Sequence, residues 1–404
     1  MTSPLEILRP LRRNIDSIIG EDELLAQLSS GKSLRIKYGV DCTAPDLHLG
    51  HAVNLWMMRH LQEHGHRVVF LLGDTTTQIG DPTGKSETRP VLSRDEIDRN
   101  ALAFIEQVGL VLRTEPALFE VRRNSEWFDA MPVTELLSLF SMTTHARLMS
   151  RDMFRERMAA GREIALHELT YPVLQGYDSF AMASDLTIVG SDQLFNEMMG
   201  RHYQQRLGAV PQTLITTRIT PGLDGGPKQS KSLGNYVALL DDPAEKFGKL
   251  MSLPDTLVEE WAAAYTDMTE EQIERLSAAV AMRGANARDA KLQLAEQIVC
   301  RYHGREEAIR SREAFLSTFS DRNEPDQMPV LTLPTRSVRL LDLLCLARPD
   351  LSKNSLRRLV LQRAVRVNGN VMLEEGGKIV LEPGSVLKIG PRTWWRISTR
   401  ANEN

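Results

Sequence analysis

The sequence predicts an α/β fold: a parallel sheet flanked by helices, then an α-helical segment and a small α+β tail. Three observations carry this. Residues 34–40, LRIKYGV, are a short apolar run suited to a buried strand, and a long helical pattern follows from about His48 to Gly65. Residues 67–73, RVVFLLG, make a second β-rich run closed by a Gly/Thr/Asp loop. Strand, helix, strand in that order is a βαβ unit, whose crossover makes the strands parallel. Ligands of such sheets sit beyond the carboxyl ends of the strands, and two chemically rich loops fall there.

The later elements follow the same reasoning. From about 92 to 165 the pattern is mostly helical, with apolar residues three and four apart. Within it, MPVTELLSLFSM has an apolar face suited to a partner as well as to a core. Residues 186–189, LTIV, read as another sheet strand, and a Gly/Pro/Lys-rich loop spans 221–235. Residues 242–318 read as helical, and DRNEPDQMPVLTLPT is a polar, Pro-containing linker. The last sixty residues hold short β-runs (VRVNG, IVLEPGS, VLKIG, WWRIS) behind one helix at 352–363. The expected division is 1–240 with a helical insertion at about 92–165, then 241–320, a linker at 321–337, and 338–404.

Composition bounds the class. A chain of 404 residues is too long for one ordinary core, and 42% hydrophobic with 25% charged residues is globular and soluble in type. No run of eighteen apolar residues occurs, so no membrane span is expected. The segment MTSPLEILRPLRRN has basic residues but no apolar stretch behind them, unlike a signal peptide. Cys42, Cys300 and Cys345 lie far apart, with neither a CxxC pair nor histidines at ligand spacing. No metal site or disulfide framework is expected, and a reducing cytoplasm is the simplest home. The net charge of −4 is uneven: residues 338–397 hold eleven Lys or Arg against five Asp or Glu, leaving −10 elsewhere. A basic tail suits a polyanionic partner, although a solvated lysine-rich face is the commoner meaning of such a balance.

Four constellations carry chemistry. The first, Asp41-Cys-Thr43-Ala-Pro-Asp-Leu-His48-Leu-Gly50-His51, begins where a strand ends and finishes in the first helical turn. Its histidines, three apart, project together from a helix N-terminus, where backbone N–H groups and the dipole favour phosphate. Gly50 leaves the backbone bare for a ring or ribose; two surface histidines beside a cap are the alternative. The second, Pro227-Lys228-Gln229-Ser230-Lys231-Ser232, sets two lysines three apart with hydroxyls beside them. Such a loop can wrap a triphosphate with movable charges and release pyrophosphate later; ordinary exposed lysines are the alternative. In the third, Tyr171, Gln175 and Asp178 share one helical face, a polar stripe that meets either solvent or a polar pocket. The fourth is a basic helix running into a strand and turn, Ser352 to Gly369, with Lys353, Arg357, Arg358, Arg363 and Arg366 suited to an RNA backbone. Trp394 and Trp395 suit base stacking or, more commonly, closing a small core.

Together the first two loops resemble the His-Ile-Gly-His and Lys-Met-Ser-Lys-Ser signatures of class I aminoacyl-tRNA synthetases, and their separation of about 180 residues fits the small members. The third cluster resembles the amino-acid-binding helix of tyrosyl-tRNA synthetases, and the tail resembles the small RNA-binding fold that bacterial members share with a ribosomal protein. The likeness covers nearly the whole chain, including NSEWF at 124–128, and is strongest to the bacterial subtype with a lysine four residues before the first motif's aspartate, here Lys37.

The resemblance implies a Rossmann-like catalytic domain, a helical anticodon-recognition domain and a ribosomal-protein-type RNA-binding domain. It implies a tyrosine–tRNA ligase using ATP with Mg2+ as co-substrate, no tightly bound cofactor, and tRNA(Tyr) as partner to a cytoplasmic homodimer. Thr43, His48, Lys228 and Lys231 are then the groups that stabilise the phosphates, with His51 and Asp192 placing adenosine. Gly50, Ser230 and Ser232 complete the ATP site. Tyr171, Gln175 and Asp81 hold the ammonium, Asp178 accepts the phenol, and Asp41 and Gln193 belong to the same pocket. Cys42, Gln229 and Val189 stand where proline, methionine and glycine are usual. Val189 leaves room for a paralogue that activates a tyrosine analogue or serves as a resistance copy. A tryptophan-specific ligase lacks the Tyr171/Gln175/Asp178 stripe, and a non-enzymatic RNA-binding descendant loses His48 or Lys231.

Overall fold

Six strands build the sheet that carries the site. They are β1 (Ile15–Ile19), β2 (Arg35–Val40), β3 (Arg67–Leu72), β4 (Phe119–Arg123), β5 (Leu186–Gly190) and β6 (Thr213–Thr217), ordered β1-β6-β5-β2-β3-β4. All neighbours are parallel except β1, which runs antiparallel along β6. In this computed structural model the described residues are 2–43, 46–81, 92–230, 233–282, 284–319, 328–373, 377–390 and 393–399.

The order reverses between β2 and β5: the chain winds outward through β3 and β4, then returns to the other side of β2. Such a reversal opens a crevice at the carboxyl ends of the two central strands. Residues 41–43 and 46–48 follow β2, and the 3-10 turn Ser191–Gln193 follows β5; both stretches carry candidate site residues. The βαβ unit read from sequence is present, with the helix Leu49–Glu63 packed on β3 and β5. Ala52, Val53, Leu55, Met57, Met58 and Leu61 are its buried face. Three strands were not legible. β4 lies inside the stretch expected to be helical; FEVRR keeps only Phe119 fully buried, so its pattern carries little period-2 signal. β1 is a half-exposed edge, and β6 is a five-residue run buried on both faces.

Two helices frame the pocket. Leu166–Ala181 and Leu194–Arg206 pack closely because Gly176 has no side chain at the crossing, where a Cβ would meet Tyr203 Cδ2 at 2.7 Å and Met199 O at 3.1 Å. That closeness brings Gln175 and Asp178 towards residues 193–197. The helices Pro243–Met251, Val258–Tyr265, Glu270–Ala281 and Ala285–His303 follow and belong to the same unit, residues 1–309.

The second unit, residues 310–404, is a small α+β body. Its five-stranded sheet runs β10-β9-β12-β13-β7, from β7 (Val330–Leu333), β9 (Val365–Val367), β10 (Asn370–Val371), β12 (Val386–Ile389) and β13 (Thr393–Thr399). β8 (Ser337–Arg339) and β11 (Lys378–Val380) form a separate pair. Two helices, Leu340–Ala347 and Lys353–Leu361, bury Leu340, Leu343, Leu344, Leu356 and Val360 against the sheet. The segment expected to be linker therefore contains β7, which pairs in parallel with β13, and the first helix went unread. Trp395 packs on this core and Trp394 is buried, so neither indole is a free stacking platform.

Candidate functional site

The helix Leu49–Glu63 begins with a cap rather than with two helical histidines. His48 is extended and is the N-cap, and its Nδ1 accepts from Gly50 N at 3.2 Å. His51 Nδ1 in turn accepts from His48 N at 3.3 Å, and the two rings lie 3.9 Å apart. With both Nδ1 atoms accepting, each neutral ring carries its proton on Nε2 and is a donor from that side. Gly50 is needed for this packing: a Cβ there would meet His48 Nδ1 and Cε1 at 3.0 Å. A substrate's close approach is thus not its only role. Thr43 follows β2, with its N donating to Asp41 O at 2.8 Å.

The second signature loop is tied to the first. Leu49 N donates to Val237 O at 3.0 Å and Leu239 N to Leu47 O at 2.9 Å, a β-bridge just beyond the lysines. Asn235 clamps the loop by accepting from Ser230 N at 2.8 Å and donating to Asp224 Oδ1 at 2.8 Å. Lys228 Nζ lies 3.6 Å from Asp192 Oδ2, with the two side chains 47% and 34% exposed. Gln229 is buried: its Nε2 donates to Tyr265 Oη at 2.7 Å and its Oε1 accepts from Val237 N at 3.4 Å. Lys231 and Ser232 lie outside the described residues.

The third cluster lines the floor of the same cleft, a space of about 370 Å³. Thr43, His48, Gly50, His51, Asp41, Asp81, Tyr171, Gln175, Asp178, Asp192, Gln193 and Lys228 all line it; Ser230 does not. Asp178 is buried, with Oδ1 accepting from Trp127 Nε1 at 3.0 Å and Oδ2 3.5 Å from Asn124 Nδ2. Burial pushes its carboxyl up to about 7, against the pull of Lys37 and the two hydrogen bonds. Tyr171 Oη gives its proton to Asp41 Oδ2 at 3.1 Å, which leaves the phenolic oxygen as an acceptor. Gln193 Nε2 donates to Asp81 Oδ2 at 2.9 Å. Val189 is buried and lines the cleft, where its side chain takes up space on the β5 side. Cys42 is buried too, its thiol pushed up to about 12 chiefly by desolvation and then by Asp41, so it is no nucleophile.

Several supporting residues escaped the sequence reading. Lys37 was noted only as a subtype marker; it is buried, with Nζ 2.8 Å from both Ser179 Oγ and Glu197 Oε2. A lysine inside an apolar strand signals that a buried partner exists, but not which residue it is. Asn124 and Trp127 lie in NSEWF, noted only as part of the family likeness, and Glu197 had no local signal. Among the described residues no group of three His, Cys, Asp or Glu side chains is placed to hold a metal.

The five basic tail residues, Lys353, Arg357, Arg358, Arg363 and Arg366, are all exposed in the second unit. Arg363 takes a left-handed backbone (φ 57°) just past the helix C-terminus, a position usually given to glycine or asparagine.

A parallel sheet whose switch point joins a histidine cap to a lysine loop over a polar pocket defines the class of protein. Residues 29–320 match the family of class I tRNA synthetases (W and Y), and the chain belongs to that family. Within it the similarity is to tyrosine–tRNA ligases. That of Thermotoga maritima is 41% identical over 398 residues, 98% of each chain, and tyrosine–tRNA ligase 2 of Vibrio parahaemolyticus is 39% identical over 401 residues, 99% of this chain and 100% of that one. The fold is shared with the Archaeoglobus fulgidus tyrosyl-tRNA synthetase solved with L-tyrosine (TM-score 0.60, 22% identity, 76% of this chain and 99% of that one).

Proposed function

We propose that this chain is a tyrosine–tRNA ligase, activating L-tyrosine with Mg-ATP and charging tRNA(Tyr). The observation that carries the tyrosine assignment is the buried Asp178 carboxylate on the cleft floor, an acceptor for a phenolic hydroxyl that a phenylalanine ring leaves unsatisfied.

A tyrosine carboxylate oxygen attacks the α-phosphorus in line; the bond to the bridging oxygen breaks and pyrophosphate leaves. The terminal 2′- or 3′-hydroxyl of the tRNA then attacks the carbonyl of the adenylate, AMP leaves, and the hydroxyl proton passes to solvent or to the departing phosphate. No protein nucleophile takes part. Tyr171 Oη, Gln175 and Asp81 receive the ammonium, while His48, Thr43, Lys228 and Lys231 spread the charge on the phosphates. Mg2+ enters with the phosphates of ATP. The exposed arginines of the helix Lys353–Leu361 suit tRNA backbone contacts.

The chain acts as a cytoplasmic homodimer in this reading. The helix Val133–Ser141 supports a dimer: Val133 is 71% and Leu137 58% exposed, while Leu139 anchors its other side. A monomer by light scattering at micromolar concentration overturns that part. No helix among the described residues is long and apolar enough to cross a membrane. ATP–pyrophosphate exchange across tyrosine, tryptophan, phenylalanine and ring-substituted tyrosines tests the assignment. Exchange driven by a substituted tyrosine in preference to tyrosine favours instead the analogue-activating paralogue, to which the bulk of Val189 points.

A further inference from the structure

The geometry points to Glu197 as the positioning residue that decides which way the amide of Gln175 faces in the amino-acid pocket; the inference rests on the tyrosine-activating reading above. Glu197 sits on the helix Leu194–Arg206, is 2% exposed and has both oxygens engaged. Oε1 accepts from Gln175 Nε2 at 2.9 Å and from Lys37 Nζ at 2.9 Å. Oε2 accepts from Lys37 Nζ at 2.8 Å and from Gln212 Nε2 at 2.9 Å.

A carboxylate paired with an ammonium has only lone pairs to offer, so an amide packed against it must present its NH2 group. Gln175 Oε1 is thereby turned the other way. It is buried, has no hydrogen-bond partner among the described residues, and belongs to a residue lining the cleft. The neighbouring amide enforces the same sense. Gln193 Nε2 is drawn to Asp81, so Gln193 Oε1 faces Asn196 Nδ2 at 3.0 Å and Gln175 Nε2 at 3.4 Å. Two carboxylates thus orient a row of amides. Of the two buried acceptors the row leaves unpartnered among the described residues, Gln175 Oε1 and Asn196 Oδ1, only the first belongs to a residue lining the cleft, and its natural complement is a cation with N–H donors, the α-ammonium of the substrate. An amide or apolar residue at position 197 lets Gln175 reverse and present N–H groups to that ammonium.

The test is Glu197→Gln, which keeps shape but adds a donor. In ATP–pyrophosphate exchange the KM for tyrosine should rise about 10-fold, with kcat and the KM for ATP changed less than about 2-fold. Two competitive inhibitors separate orientation from general damage. Tyramine keeps the ammonium and should weaken about 10-fold; 3-(4-hydroxyphenyl)propionate lacks it and should bind as before. Equal weakening of both, or no change in the KM for tyrosine, overturns the inference. If the stranded Lys37 prevents folding, the double variant Lys37→Met/Glu197→Leu removes both charges. The ratio of the two inhibition constants should then still shift about 10-fold towards the desamino compound, and a wild-type ratio overturns the inference. Wild-type protein that exchanges with no tyrosine at all sinks the underlying reading instead, so the two failures are distinguishable.

Discussion

The two halves of the cleft, which the proposed function assigns to the amino acid and to the phosphates, are built on opposite plans. On the amino-acid side, Lys37, Glu197, Asp178, Asn124 and Gln212 are buried and hydrogen-bonded to one another or to Trp127, Gln175 and Ser179. On the phosphate side, Lys228 and Asp192 meet across 3.6 Å while half open to water. The first half has met its desolvation cost during folding and can discriminate as a rigid mould; the second waits for its anion. Substitutions in the buried half should therefore alter which amino acid is accepted and how stable the protein is. Those in the open half should alter the rate and leave the choice of amino acid unchanged.

Asp178→Asn gives the largest effect. Efficiency with tyrosine should fall about 1,000-fold, and its advantage over phenylalanine should shrink by a similar factor, both read by pyrophosphate exchange. Stability moves the other way. The folded carboxyl sits at about 7 against an ordinary 3.8, so the protonated form suits the fold. Asp178's contribution to stability is complete below its unfolded value and lost as pH rises through about 7. The neutral amide should thus raise Tm at pH 8 by about 2–4 °C in calorimetry. In the wild type, the KM for tyrosine should drop about 10-fold from pH 6 to pH 8 as the acceptor ionises, and the Asn variant should lose that slope.

His48→Ala should lower the single-turnover rate of adenylate formation about 100-fold while leaving tyrosine affinity, read by equilibrium binding, within about 2-fold. Its cap to Gly50 N also goes, costing about 1 kcal/mol of stability in urea melts. Proportional loss of tyrosine affinity and rate contradicts the division into two halves. In the second unit, Arg357→Ala with Arg358→Ala should raise the KM for tRNA about 10-fold and reduce the salt slope of binding by about 2, with exchange untouched.

What was legible follows from how local each signal is. The βαβ unit was readable because LRIKYGV and RVVFLLG are buried strands flanking a long periodic helix. β4 and β1 were not, because edge strands with half-exposed side chains look like loops or helix in sequence. The histidine cap, the lysine loop and the Tyr171/Gln175/Asp178 stripe each lie within a dozen residues, and twelve of the fifteen expected catalytic, ATP and tyrosine residues line one cleft. Glu197 and Trp127 act through partners 160 and 51 residues away, and no single-sequence spacing encodes such a pairing. The basic tail helix was found, yet the strand β7 hid in a Pro-containing stretch because its pairing partner, β13, lies more than sixty residues later.

Gln229→Met is the smallest change and the finest test of where the two halves divide. Gln229 sits in the lysine loop, yet its amide is buried and fully engaged, donating to Tyr265 and accepting from Val237. Val237 is the residue whose carbonyl holds Leu49, next to the histidine cap. The loop's own anchor thus follows the plan of the buried half, although the lysine beside it follows the other. Methionine fills a similar volume but drops both hydrogen bonds; Tyr265 retains Thr220, so stability should change by no more than about 1 kcal/mol. The loosened loop should place Lys228 less well, raising the KM for ATP about 3-fold with the KM for tyrosine unchanged. A tyrosine KM that rises in step with that for ATP means the anchor is shared, and the boundary then runs between side chains of one loop rather than between two loops.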